Sequence, residues 1–137
     1  MGYTHYWTFK KKVNELNQEY GENRFKVAVD LFKEGLKKLQ DIPLGNGIGK
    51  GKPIITDTEV CFNGKAPEED YETCAMSLES KGFDFCKTAR QPYDVAVCLL
   101  LLCMADAFGG DFEYSSDGDI ENGEEGWARA KEIFNEL

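Results

Sequence analysis

The sequence predicts an α+β fold, with an antiparallel sheet of about four to five strands packed against two to three helices. Three observations predict it. An aromatic and β-branched run opens the chain at Tyr3 to Phe9, four short β-favouring segments separated by turn residues fill its middle, and helical spacing or continuous apolar character marks the stretches around them. With 137 residues, a second core would leave each half marginal, so residues 1–137 are read as one domain.

In chain order, Tyr3 to Phe9 (YTHYWTF) forms the first strand, and Lys10 to Tyr20 is a loop or a short helix anchored by Val13 and Leu16. From Asn23, an N-cap residue type, the apolar positions Phe25, Val29, Phe32, Leu36 and Leu39 follow helical spacing, with Lys33, Glu34, Lys37 and Lys38 on the outer side. Pro43 and the glycine-rich stretch Leu44 to Lys52 end that helix. The stretch has the composition of a phosphate-cradling loop but not its order, since Pro53 follows Lys52 where a Ser or Thr is required; it reads as a flexible connection.

Ile54 to Ile55, Glu59 to Asn63, Tyr71 to Met76 and Phe83 to Thr88 read as an antiparallel meander, with turns at Asn63-Gly64 and Lys81-Gly82. Pro92 introduces a helix capped at or near Asp94 and closed by Gly109-Gly110. Its run from Val95 to Ala105 is apolar on nearly every face and well short of the ~20 residues that span a bilayer, so it is a core helix and no membrane partner is expected. A helix with that much apolar surface also predicts self-association, because one small sheet cannot cover it. Asp111 to Gly126 reads as an acidic loop without calcium-loop register, and Trp127, Ala130, Ile133, Phe134 and Leu137 as a short C-terminal helix.

Sixteen basic against 25 acidic side chains give a net charge of −9, a field that repels DNA and RNA and excludes a nucleic-acid polymer as partner. A small anion is still accommodated wherever a few cations converge. Five cysteines, an odd number with no CxxC and no leader-like opening, predict free thiols in the cytoplasm; neither a metal nor a cofactor is expected.

Three groups are candidates for chemistry. Tyr3, His5 and Trp7 share one face of the first strand, with the only histidine at the centre. They form either an aromatic core face with a hydrogen-bonded histidine or a wall on which a planar base stacks. The second group, Phe85, Lys87, Thr88, Arg90 and Tyr93, runs from a strand into the start of the apolar helix, where two cations beside a helix N-terminus suit an anion; the alternative pairs them with Asp84, Asp94 or the acidic loop. Cys86 lies among them as a buried thiol or a nucleophile with His5 as its base. The third is Asn63, which either shapes a turn or reaches a ligand's polar edge.

The opening Met1-Gly2-Tyr3-Thr4-His5-Tyr6-Trp7, Phe62-Asn63-Gly64, and Phe85-Cys86-Lys87-Thr88-Ala89-Arg90 followed by Pro92-Tyr93-Asp94 together resemble a family of small uncharacterised proteins of bacteria and their phages. Gln91 departs from the family pattern, which more often has lysine there. The resemblance implies a phage context, in which small proteins that sequester nucleotide immune signals are common.

The leading expectation is a small-ligand binding protein that captures a phosphorylated nucleotide derivative, such as an ADP-ribose derivative or cyclic nucleotide, without turning it over. One alternative is a nucleotide-processing enzyme with His5 as acid or base, assisted by Cys86, Asp84 or Asp94. Another is an acidic inhibitor that occupies a basic groove on a host protein.

Overall fold

A computed structural model describes residues 3–124 and 126–137; Met1 and Gly2 of the opening motif and Glu125 of the acidic stretch lie outside the described residues. The chain forms strands and helices in the order β1 (Thr4–Phe9), α1 (Val13–Tyr20), α2 (Arg24–Leu36), β2 (Leu44–Gly45), β3 (Ile54–Ile55), β4 (Glu59–Gly64), β5 (Cys74–Ser77), β6 (Gly82–Lys87), α3 (Asp94–Phe108), β7 (Phe112–Ser116) and α4 (Gly126–Asn135). The fold is α+β, but its strands make two antiparallel sheets instead of one meander. β1 runs between β6 and β7 in a three-stranded sheet, and β4 pairs with β2, β3 and β5 in a four-stranded one. A meander would pair β6 with β5. Its actual partner is β1, with His5 opposite Cys86 and Thr4 opposite Lys87, so the two stretches richest in candidate residues are hydrogen-bonded neighbours.

Local chemistry accounts for most elements. Asn23 caps α2 by accepting from the Lys26 amide at 3.1 Å. Val13 and Leu16, both buried, anchor α1. Phe112 and Tyr114, alternating with Glu113 and Ser115, make β7 inside what reads from composition as an acidic loop. The glycine-rich stretch forms β2 and an ordered turn in which the Ile48 amide donates to the Asn46 side chain at 2.9 Å, so that N–H faces its own loop.

The apolar helix α3 is the centre of the molecule. It packs against α2, α4 and the three-stranded sheet, and 12 of its 15 residues are buried within the one chain. Gly35 of α2 permits the closest approach, because a Cβ there would meet Leu99 Cδ2 at 2.6 Å. The covering expected from a second subunit is thus supplied by α2 and α4, and α3 gives no reason for self-association. No helix among the described residues is long and apolar enough to cross a membrane.

Candidate functional site

His5 sits on the inner face of β1, fully buried, at a point where β1, β7, α3 and α4 meet. Its Nε2 lies 2.6 Å from Asp94 Oδ1 in the first turn of α3, and its Nδ1 lies 2.8 Å from the hydroxyl of Ser116 at the end of β7. Tyr3 and Trp127 meet the imidazole edge-on from two sides, each with its ring centre 5.3 Å away.

Counting lone pairs assigns the protons. Ser116 Oγ accepts from the Gly118 amide at 2.9 Å and from Trp127 Nε1 at 3.1 Å, which fills both of its lone pairs. Its own proton must go to His5 Nδ1. His5 is therefore neutral, carries its proton on Nε2, and donates it to Asp94. Asp94 Oδ1 also accepts from the Thr88 hydroxyl at 2.5 Å, and Cys98 Sγ lies 3.6 Å from Oδ2 as a weak third donor. The carboxylate is held by these donors and by the start of α3.

Ser116, His5 and Asp94 have the order and spacing of a hydrolytic triad, but the chemistry does not follow. With both lone pairs of Ser116 already accepting, none is directed at a carbonyl. His5, Asp94 and Cys98 likewise offer three metal-ligand types within 4.8 Å of one another. Ligation through Nε2 would move the proton to Nδ1 and make Ser116 accept a third hydrogen bond that it has no lone pair for. Burial also pushes the Cys98 thiol well up from its ordinary value, with the adjacent Asp94 charge adding to the rise. The cluster is a closed polar network.

Its outer edge is open. Between α3 and the start of α4 lies a cleft of about 250 Å³ lined by Ile42, Arg90, Gln91, Asp94, Gly126 and Arg129, among others. Gly126 is required there, since a Cβ would stand 2.6 Å from Asp94 Oδ2 and 3.0 Å from Val95 Cα. Arg129 is fixed by Asp41, with its two terminal nitrogens 2.9 and 2.6 Å from the carboxylate oxygens, and each partner stabilises the charge of the other. Among its contacts, Arg90 lies over the Tyr3 ring at 4.2 Å and pairs with Glu124 at 3.8 Å. Ala89 and Arg90 are the only non-glycine residues described with positive φ, at 52° and 60°. Two such residues in succession are strained, a condition that clusters at ligand sites and switches.

The sequence candidates therefore separate. Tyr3, His5 and Trp7 are core, not a stacking wall, because their face of β1 is covered by α3 and α4. The Tyr3 hydroxyl is buried, with no hydrogen bond of good geometry among the described residues, and its ionisation is pushed up first by burial and then by the Asp94 charge. Asn63 is buried and binds the Tyr71 backbone through both its amide groups, at 2.9 and 3.0 Å, which closes the loop after β4. Tyr93 is also buried and donates to the Glu72 carbonyl at 2.5 Å. Cys86 faces His5 in register, yet its thiol turns to the Glu72 carbonyl at 3.4 Å, so the two form no catalytic pair.

Thr88 and Arg90 belong to the network and the cleft, whereas Phe85 and Lys87 face outward on the opposite side of the sheet. Sequence reasoning missed Ser116, Cys98, Trp127 and Arg129. Only Trp127 and Ser116 carried any signal, as a buried-type aromatic opening a helix and a hydroxyl near a turn. No family model, curated protein or solved structure matches this chain.

Proposed function

We propose that this protein captures a small phosphorylated ligand, of the nucleotide-derivative class, in the cleft between α3 and α4. The observation that carries the reading is the convergence of Arg90 and Arg129 with the first turns of two helices on one concave site, in a chain of net charge −9. Guanidinium groups match phosphoryl oxygens in pairs, and helix starts add positive dipole ends. Ile42, Pro92 and Val95 offer an apolar side for the rest of the ligand.

The reading is capture without turnover, because both nitrogens of His5 are already engaged inside the network. Sequestration of a nucleotide signal is the role that the resemblance to phage proteins adds. The direct test is calorimetric titration with pyrophosphate, ADP-ribose and cyclic dinucleotides, each recovered and examined by chromatography. Arg90→Ala and Arg129→Ala should each weaken binding about 10-fold or more, the scale of a lost charged hydrogen bond. Lys87→Ala, outside the cleft, should leave it unchanged. Binding that depends on Lys87 and not on the two arginines would overturn the assignment, and a ligand recovered as a new product would replace capture by an enzyme.

A further inference from the structure

The face of the three-stranded sheet that points away from α3 is aromatic and charged in a pattern, buried at Thr4 and exposed at Phe83 and Phe85. The β1 register places its residues in rows running from β6 across β1 to β7: Lys87, Thr4 and Asp117, then Phe85, Tyr6 and Ser115, then Phe83, Thr8 and Glu113. Phe83 and Phe85 are 65% and 47% exposed. Tyr6 stacks beside Phe83 with ring centres 6.1 Å apart, and its hydroxyl is tied to Asp117 at 3.0 Å. Lys87 makes no ion pair among the described residues, and Asp117 accepts only from the Thr4 amide and Tyr6.

This face shares no residue with the arginine cleft. One column is therefore aromatic and basic, the opposite column is acidic, and a tyrosine stands between them. Such a surface is complementary to itself in one orientation. A two-fold axis parallel to the strands lays the β6 column of one copy over the β7 column of the other, so that each Lys87 meets an Asp117, each Phe83 and Phe85 covers a β7 row, and Tyr6 meets Tyr6 at the axis. An axis across the strands would instead lay the carboxylate column over itself, which like charges oppose.

We propose that the outer face of this sheet is an interface between two copies of the chain, related by a two-fold axis along the strands and held in register by reciprocal contacts between Lys87 and Asp117. Both copies use the same patch, as a closed symmetric dimer requires. The footprint is small: three strands at about 4.8 Å spacing and about five residues at about 3.4 Å each. That is about 250 Å² per copy, well under the roughly 800 Å² each partner buries in a standard interface, so the dimer is weak and dependent on concentration and salt.

Sedimentation velocity on the full chain from about 10 µM to about 1 mM tests it, since weak association falls in that range. The expected result is a concentration-dependent shift from monomer to dimer that recedes as salt is raised. Phe83→Ser and Lys87→Glu should each weaken association about 10-fold or more, the scale of losing a central aromatic or reversing a paired charge. Combining Lys87→Glu with Asp117→Lys should restore most of the loss, because the exchanged charges face each other again. Phe83 is exposed enough that its variant keeps the fold, which circular dichroism would verify. A chain that stays monomeric throughout the range, or a dimer indifferent to Phe83→Ser, overturns the proposal.

Discussion

Replacing Ser116 by alanine tests the proton assignment at the centre of the molecule. A half-buried serine making one hydrogen bond loses about 1 kcal/mol on such a change. Here one oxygen serves three groups, the Gly118 amide, Trp127 Nε1 and His5 Nδ1, and alanine leaves all three without their partner. At about 1 kcal/mol each, the loss comes to about 3 kcal/mol, or a fall in melting temperature of roughly 10 °C for a chain of this size. Urea unfolding followed by tryptophan fluorescence reads it directly, since Trp7 and Trp127 are both buried. Ser115→Ala, one residue earlier on the exposed face, should change stability by no more than about 0.5 kcal/mol. Nitrogen-15 chemical shifts of the single histidine should show a neutral ring protonated on Nε2 in the unsubstituted protein. A loss under about 1 kcal/mol for Ser116→Ala, or a proton found on Nδ1, would refute the lone-pair count.

Two further outcomes follow from burial. Of the five thiols only Cys61 is partly exposed, and burial pushes Cys103 up to about 12, so alkylation of the native protein at pH 8 should modify one thiol at most, against five in urea, as read by intact mass. Burial raises the phenols of both Tyr3 and Tyr93 in the folded chain. A raised value means the native state holds these protons more tightly than the unfolded state, so the stability they contribute is complete below the ordinary tyrosine value of about 10 and falls as pH rises above it. Urea midpoints should therefore be level with respect to these groups up to about pH 10 and decline beyond it, with phenolate absorbance from Tyr3 and Tyr93 appearing only as the chain unfolds. Phenolate absorbance from these two residues in the folded protein would contradict their burial.

Elements written in local pattern were legible in the sequence. The aromatic and β-branched residues of β1, the spacing of α2 behind Asn23, the apolar run of α3 and the Trp127 helix all stand where composition put them. What composition could not supply was partnership. The pairing of β6 with β1 depends on contacts some 80 residues apart, and turn residues around Lys81-Gly82 say only that a strand follows. The same gap hid the site. Alternation put Tyr3, His5 and Trp7 correctly on one face, but nothing local says which face α3 and α4 will cover, and the open aromatic surface formed instead on the side of Tyr6. Asp94 read as a helix cap because Asp before an apolar run usually is one; its carboxylate is turned to a histidine 89 residues earlier.

The closed network and the open cleft share the segment from Thr88 to Asp94. Thr88 and Asp94 are held together by the 2.5 Å hydrogen bond between their side chains, with Asp94 also bound to His5. The Thr88 and Ala89 amides are drawn to the Tyr3 carbonyl at 3.0 and 3.3 Å, and Gln91 returns to the Thr88 carbonyl at 3.0 Å. The segment between Thr88 and Asp94 is thus fixed at both ends and across its middle, and only a left-handed turn at Ala89 and Arg90 closes the path. Such residues cost about 1 to 2 kcal/mol each, which the charged hydrogen bonds on Asp94 are of the right size to offset. The buried histidine reaches the cleft at one remove. It anchors the carboxylate that anchors the loop, and the loop sets Arg90 over Tyr3, facing the cleft that Arg129 borders from the other side.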